Sequence, residues 1–353
     1  MRRVMLLLML LALCSSLTTT IIGCGETEET EQPELPSLVV ISTTGLGSSA
    51  HAWSSVLGDA FQDETGITVR LVPHGTDLAR YTMLRDGDAH LVAASSINGW
   101  APTFGLQEFS DWGPQPIYMI WLGSLLNTGV AVRADSGINS LADLAGKRVN
   151  NVPAMASINL GRDSHLAFAG LTPDDVILVD FPSYPAVFDG LKAGTVDAIG
   201  VVACTASGAY DVATSPAGIK WLEMPASDSE GWERLSEIAP YVPALATKGA
   251  GISEDDPLEL SALVNTIYSY GTEVVSEELA YQWAKTLGTL TQEYRDRNPD
   301  VVGFTVENAL NFQYSSYPYH PGTIRYFKEI GVWTSEHQEW QDSILAEMEA
   351  RVG

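Results

Sequence analysis

Residues 130 to 149, VAVRADSGINSLADLAGKRV, restrict the possible folds more than any other stretch of this chain. Val130-Ala131-Val132-Arg133 alternates as a strand, and Asp135-Ser136-Gly137 supplies a turn. Ser140 stands as an N-cap before Leu141 to Ala145, and Gly146 ends that short helix before Lys147-Arg148-Val149 opens a new strand. The spacing predicts a compact β-turn-helix-β unit, which places the chain among α/β proteins.

The amino end points to export. Arg2 and Arg3 precede an apolar run from Val4 to Leu13, then Ser and Thr residues, then Ile21-Ile22-Gly23-Cys24. These are the charged, apolar and small-residue regions of a signal peptide over residues 1–23. The apolar run is about half of the roughly 20 residues that a membrane span needs. Cys24 resembles the lipid-modified cysteine of a bacterial lipoprotein, and acyl chains there would anchor the protein at a membrane surface. Residues 24–37 hold five Glu and two Pro and almost nothing apolar, so they read as an acidic, solvated tether.

Residues 38 to 353 remain for folding. With 45% hydrophobic and 18% charged residues the chain is ordinary for a globular protein. Its formal charge is −25, and removing Arg2 and Arg3 with the signal gives −25 − 2 = −27. Nucleic acid is excluded as a partner on that balance, since phosphate contacts need clustered Lys and Arg. Cys204 is the one cysteine left for the folded part, which rules out an internal disulfide and reads as small core packing.

Leu38 to Ser42 reads as a strand running into Thr43-Thr44-Gly45-Leu46-Gly47-Ser48-Ser49, then a helix over 50–63. A strand, a glycine-bearing loop and a helix amino end present free N–H groups and small hydroxyls to a ligand. A second strand over 67–72, a helix to Arg85 and a strand ending at Ala94 follow. Ser95, Ser96 and Asn98 fall just past that strand's carboxyl end, where ligands bind in open α/β sheets. Residues 100–111 read as a loop and 117–126 as an apolar crossover into a second lobe. In that lobe Ser157 and Asn159 lie at the amino end of a helix over 158–169, and Ala203-Cys204-Thr205 follow the strand over 195–202. Residues 258–276 and 277–290 carry apolar residues at helical spacing. Trp221 reads as hinge packing, and His320, ahead of Pro321, as a residue holding backbone.

Three phrases carry a family resemblance: the unit at 130–149, AVFDGLKAGTVDAIGVVA ending at Ala203, and the stretch Pro318 to Gly331 containing His320-Pro321-Gly322 and Arg325-Tyr326-Phe327. With LxxGDAHLVAAS ending at Ser95, they resemble the TAXI family of TRAP-transporter receptors, over residues 38 to about 333. Where that family writes a TGGxGGT loop and a GSGT loop, this chain has Thr44 to Ser49 and Met155-Ala156-Ser157-Ile158. The resemblance implies an α/β, two-lobed periplasmic binding protein fold of type II-like form, each lobe a mixed sheet flanked by helices. Lobe I would comprise 38–125 plus 226–353 and lobe II 126–225, with a new sheet beginning at 130. It also implies a periplasmic or extracytoplasmic solute receptor that closes by a hinge and hands its solute to TRAP membrane permease subunits. The solute class would be an amino acid such as glutamate, or a small organic acid, with no cofactor.

The ligand site is expected among Thr44, Ser48, Ser49, Ser95, Asn98, Ser157, Asn159 and Thr205. No arginine sits in these loops, so a carboxylate would rest on neutral donors unless Arg80 or Arg162 reaches in from a flanking helix. An ABC-type receptor of the same architecture is the alternative. Enzymes find no support: His51, His74, His90, His165, His320 and His337 sit in no triad or elbow context, and no closely spaced His and Cys residues form a zinc set.

Overall fold

The computed structural model describes residues 35–315 and 317–352. The signal segment, Cys24 and the tether up to Glu34 lie outside the described residues. In chain order the elements are β1 (Leu38–Thr44), α1 (Ser49–Thr65), β2 (Thr68–His74), α2 (Asp77–Arg85), β3 (Leu91–Ser95), α3 (Ser96–Phe104), β4 (Ile117–Arg133), β5 (Arg148–Asn151), α4 (Ala156–Phe168), β6 (Ile177–Asp180) and α5 (Tyr184–Ala193). There follow β7 (Ala198–Ala203), α6 (Ser207–Ala213), β8 (Ile219–Leu222), α7 (Ser229–Ser236), β9 (Val242–Ala246), β10 (Leu258–Tyr270), α8 (Glu277–Gly288), α9 (Gln292–Asp296), α10 (Val306–Ala309), α11 (Pro321–Glu329) and α12 (Ser335–Val352).

Local chemistry accounts for the first helices. Ser48 and Thr76 cap α1 and α2 by accepting the N–H of His51 and Ala79, and Gly66 ends α1 at φ 74°. Each such cap stabilises by about 1 kcal/mol, because it satisfies an amide that the helix cannot. The strand order β2-β1-β3-β10-β4-β7-β5-β6 mixes directions: β1 is parallel to β2 and β3, while β10 is antiparallel to both β3 and β4. Helices cover the sheet, as in the stack of Phe61 on Trp283 at 4.0 Å that fastens α8 to α1.

Two long strands organise the molecule. β4 pairs along Ile117 to Thr128 with Ser261 to Tyr270 of β10, and its far end, Thr128 to Arg133, pairs with β7 and β8. β10 likewise serves β9 with Leu258 to Ala262 and β3 with Asn265 to Tyr268. Strands β1 to β3 therefore sit at one end of this pair and β5 to β9 at the other. The expectation that residue 130 starts a separate sheet is corrected: Val130 to Arg133 finish β4, and the hydrogen-bonded path is continuous. Beyond them the unit matches the reading, with Ser140 and Asp143 forming a capping box and Gly146 at φ 71°.

Two further expectations fail. Residues 258–270 are a strand, not a helix, and every residue from Leu260 to Ser269 is buried, so neither face shows the polar alternation that marks a strand. Of the loop expected over 100–111, residues 100–104 instead finish helix α3, which a capping box between Ser95 and Asn98 opens and which continues through Pro102 to Phe104. Residues 226–257 pack on the second half: Trp232 meets Phe168 at 5.3 Å, and Arg234 donates to the carbonyls of Ala167 and Phe168 at 2.9 and 2.6 Å. His320 holds backbone as expected, its Nδ1 accepting Gly322 N–H and its Nε2 meeting the Val275 carbonyl at 3.0 Å. Cys204 is buried core.

Candidate functional site

The carboxyl ends of β1 and β3 and the amino ends of α1 and α4 converge on a cavity of about 70 Å³ between the two halves of the sheet. By volume that admits roughly five water-sized spheres, the scale of a small metabolite. Thr44, Ser48, Ser49, Ser95, Asn98 and Ser157 line it, and six of the eight expected residues are therefore brought together. The other two are not. Asn159 turns its amide onto the backbone of Val152, accepting at 3.0 Å and donating at 2.9 Å, which braces the loop before α4. Thr205 donates to Asp300, whose carboxyl is held above its usual range by burial.

Thr128, Tyr184, Tyr241 and Asn265 also line the cavity and were missed. Asn127-Thr128, a polar pair inside a long apolar run, was the available signal. Asn265 was hidden by the helical reading of β10, and Tyr184 and Tyr241 enter through folding back of distant segments. Three buried polar atoms of lining residues have no partner among the described residues: Ser157 Oγ, Tyr241 OH and Asn265 Oδ1. Unpaired buried polar groups cost about 1 to 3 kcal/mol each, a cost that a bound solute or water would relieve. None of the side chains lining the cavity is acidic or basic.

The nearest charges lie one layer behind. Arg80 is fully buried and pairs with Asp77, and it also donates to Thr44 Oγ1 at 3.0 Å. Burial pushes its guanidinium down to about 10. Asp77 is shared three ways: Oδ1 accepts from Arg80 and from Asn98 Nδ2, while Oδ2 accepts the N–H of Ser157 at 2.7 Å. Arg162 does not reach the cavity, being spent on Asn150 O, Asn151 Oδ1 and Asp163.

These bonds also fasten the halves together. Helix α4 lacks a side-chain cap of its own, and its first two amides are taken by carboxylates from the other half, Ala156 N–H by Glu108 at 2.7 Å and Ser157 N–H by Asp77. Both charges face the positive end of the helix dipole. Burial raises the Glu108 carboxyl while the Ala156 amide pulls it back. Beside them Ala154 is held at φ 60° with its carbonyl accepting Leu78 N–H at 3.3 Å, a left-handed conformation that non-glycine residues adopt only when surrounding bonds impose it. On the opposite flank Ser207 donates through N–H and Oγ to Gly47 O at 3.1 and 2.7 Å. The cavity is thus closed from two sides.

Solved structures share this architecture. The alkanesulfonate-binding protein SsuA from Xanthomonas axonopodis pv. citri, bound to MOPS, superposes with a TM-score of 0.50 at 14% identity, covering 90% of this chain and 93% of its own. A structure from Bordetella bronchiseptica RB50 gives 0.50 at 15% identity, covering 85% and 91%. The amino acid ABC transporter substrate-binding protein AbpA from Streptococcus pneumoniae, bound to L-arginine, gives 0.48 at 14%, covering 77% and 96%. At such identities the likeness shows the fold alone, and it rests on the two structures at 0.50: a mixed α/β arrangement with a central mixed sheet flanked by helices. No curated protein matches the chain. Residues 59–331, most of the chain, match the NMT1-like family, and the chain belongs to that family.

Proposed function

We propose that this protein captures a small polar or anionic solute, an amino acid or small organic acid, outside the cytoplasm and delivers it to a TRAP-type transporter. The observation that carries the reading is the cavity itself, built at strand carboxyl ends and helix amino ends contributed by both halves of the fold. Binding, not catalysis, suits a site lined by hydroxyls, amides and apolar side chains, with no nucleophile-base pair among its lining residues. The lobes would be residues 38–125 with the chain after β10, and residues 126 to about 257. The return crossing is moved from 226 to β10 because α7 and β9 pack with the second half. Hinge closure about β4 and β10 would let both lobes contact the solute at once.

Thermal-shift screening of amino acids, 2-oxo acids and dicarboxylates tests the reading. A true solute at one hundred times its Kd stabilises by about 2.7 kcal/mol, and Ser48→Ala and Ser157→Ala should weaken that gain. A panel with no hit, or a hit that both variants leave unchanged, overturns it. An ABC partner suits the same architecture, and a neighbouring ATPase gene in place of a fused permease gene would select it.

Attachment to the membrane is proposed through Cys24, on the Ile21-Ile22-Gly23-Cys24 pattern and the acidic tether behind it. Mass spectrometry of protein from its native host is expected to find an acylated Cys24 at the mature amino terminus. An unmodified terminus, or a Cys24→Ala form still held in membranes, rejects the anchor.

A further inference from the structure

The two long helices whose amino ends meet the cavity differ. The amides that open α4 are occupied by Glu108 and Asp77 from the protein itself. The amides that open α1 are open: Ser48 Oγ accepts only His51 N–H, and the N–H groups of Ser49 and Ala50 have no partner among the described residues. Ser48, Ser49 and Ala50 all line the cavity, and facing them is the unpartnered Ser157 Oγ on a residue that is 1% exposed. Thr44 Oγ1 accepts from Arg80, so its own proton is free to donate into the cavity. Behind Thr44 stands the Arg80 guanidinium, while Asp77 Oδ2 and the Glu108 carboxylate are bonded to the first amides of α4.

Resting on the solute-capture reading, we propose that the amino end of α1, with Thr44, Ser49 and Ser157, is the seat of a single carboxylate, and that the solute is a short apolar monocarboxylate without an ammonium group. Free backbone amides on a helix dipole, reinforced by hydroxyl donors, match an anion with several acceptor sites. The remaining wall, including Ile97, Leu126, Met155, Ile158, Val201 and Leu263, matches a short hydrocarbon tail. No carboxylate lines the cavity to balance an ammonium, and Asn265 Oδ1 alone offers a neutral acceptor with no other partner. Burying an amino acid's ammonium against that is unfavourable. A second carboxylate would find the α4 amides taken.

Isothermal titration with four solutes of one shape tests this: 3-methylbutanoate, 3-methylbutanamide, 3-methylbutylamine and L-valine. The acid should bind at least tenfold tighter than the amide and than L-valine, and the amine should not bind. Ala50→Pro deletes one seat amide at a first-turn position where proline is tolerated, and should weaken the acid tenfold or more. Ser49→Ala, which keeps the amides, should weaken it several-fold and guards against a folding defect in the proline variant. The seat is overturned if L-valine or the amine binds as well as the acid, if both variants bind the acid as wild type does, or if none of the four binds. When none binds and the wider thermal-shift panel is also silent, solute capture itself fails; a hit there with a different charge sinks only the seat.

Discussion

Asp77→Asn is expected to destabilise the fold by about 3 to 5 kcal/mol, lowering the melting temperature by roughly 10 °C. Arg80 is fully buried behind the cavity, and Asp77 is its ion-pair partner. Removing that charge leaves a buried guanidinium with Thr44 Oγ1 as its one remaining hydrogen-bond partner among the described residues, and with Glu108, which is bonded to the Ala156 amide, as the carboxylate still acting on it from a distance. Asparagine also fills one of its two positions with N–H donors, so it cannot accept from Arg80, Asn98 and Ser157 together. The same variant releases the amino end of α4, so stability and the contact between the halves should fall together. Glu108→Gln is the contrasting case: a half-buried carboxyl with one amide partner at α4, expected to cost about 1 kcal/mol. Replacing the pair together, Asp77→Asn with Arg80→Met, should recover much of the loss, since the unpaired charge is gone. Denaturant titration of the three variants checks the order. Equal losses for Asp77→Asn and the double variant would show that the cost is not the stranded arginine.

Lowering the pH from 7 to 5 should cost about 4 kcal/mol through two histidines, roughly 2 from each. Burial pushes both His165 and His320 from 6.5 down to about 4. A histidine with a depressed folded value is protonated more readily in the unfolded chain. Its contribution is whole above pH 6.5, declines as pH falls, and is gone below about 4. His165 sits on α4 with Nδ1 donating to Gly161 O at 2.5 Å and Nε2 against Ser261 Oγ of β10 at 2.7 Å, which suits a neutral ring with a bare Nε2. Thr128 Oγ1 meets the same Ser261 hydroxyl at 2.8 Å, so the histidine is one hydroxyl removed from a cavity-lining residue. His320 caps α11 through Nδ1. Glu108, Asp163 and Asp300, raised by burial, act in the opposite direction. Urea unfolding across the range gives the slope, and His165→Gln and His320→Asn should each flatten it by about 2 kcal/mol. Unchanged slopes would place the acid sensitivity elsewhere.

Residues close in sequence disclosed most of the architecture. The cap at Ser140, the glycine at 146 and the alternation of Val130 to Arg133 are local signals, because a cap or a left-handed turn is decided by one or two side chains. The same reasoning found Thr44, Ser48, Ser49, Ser95, Asn98 and Ser157, since strand and helix ends can be located from a chain without knowing what faces them. What distance in sequence separates was settled by packing. β10 is a strand because its edges pair with β3 and β9 and with β4, and its two buried faces remove the alternation that would have announced it. Thr205 and Asn159 do not line the cavity, because Asp300 and the Val152 backbone, neither predictable as neighbours, claim their side chains. The pairing of Asp77 with Arg80 is visible as a helical i,i+3 spacing. That Asp77 also reaches across eighty residues to the first turn of α4, so that one helix amino end is filled from within while the other stays open, depends on two halves of the sheet being brought together, and no local pattern encodes that meeting.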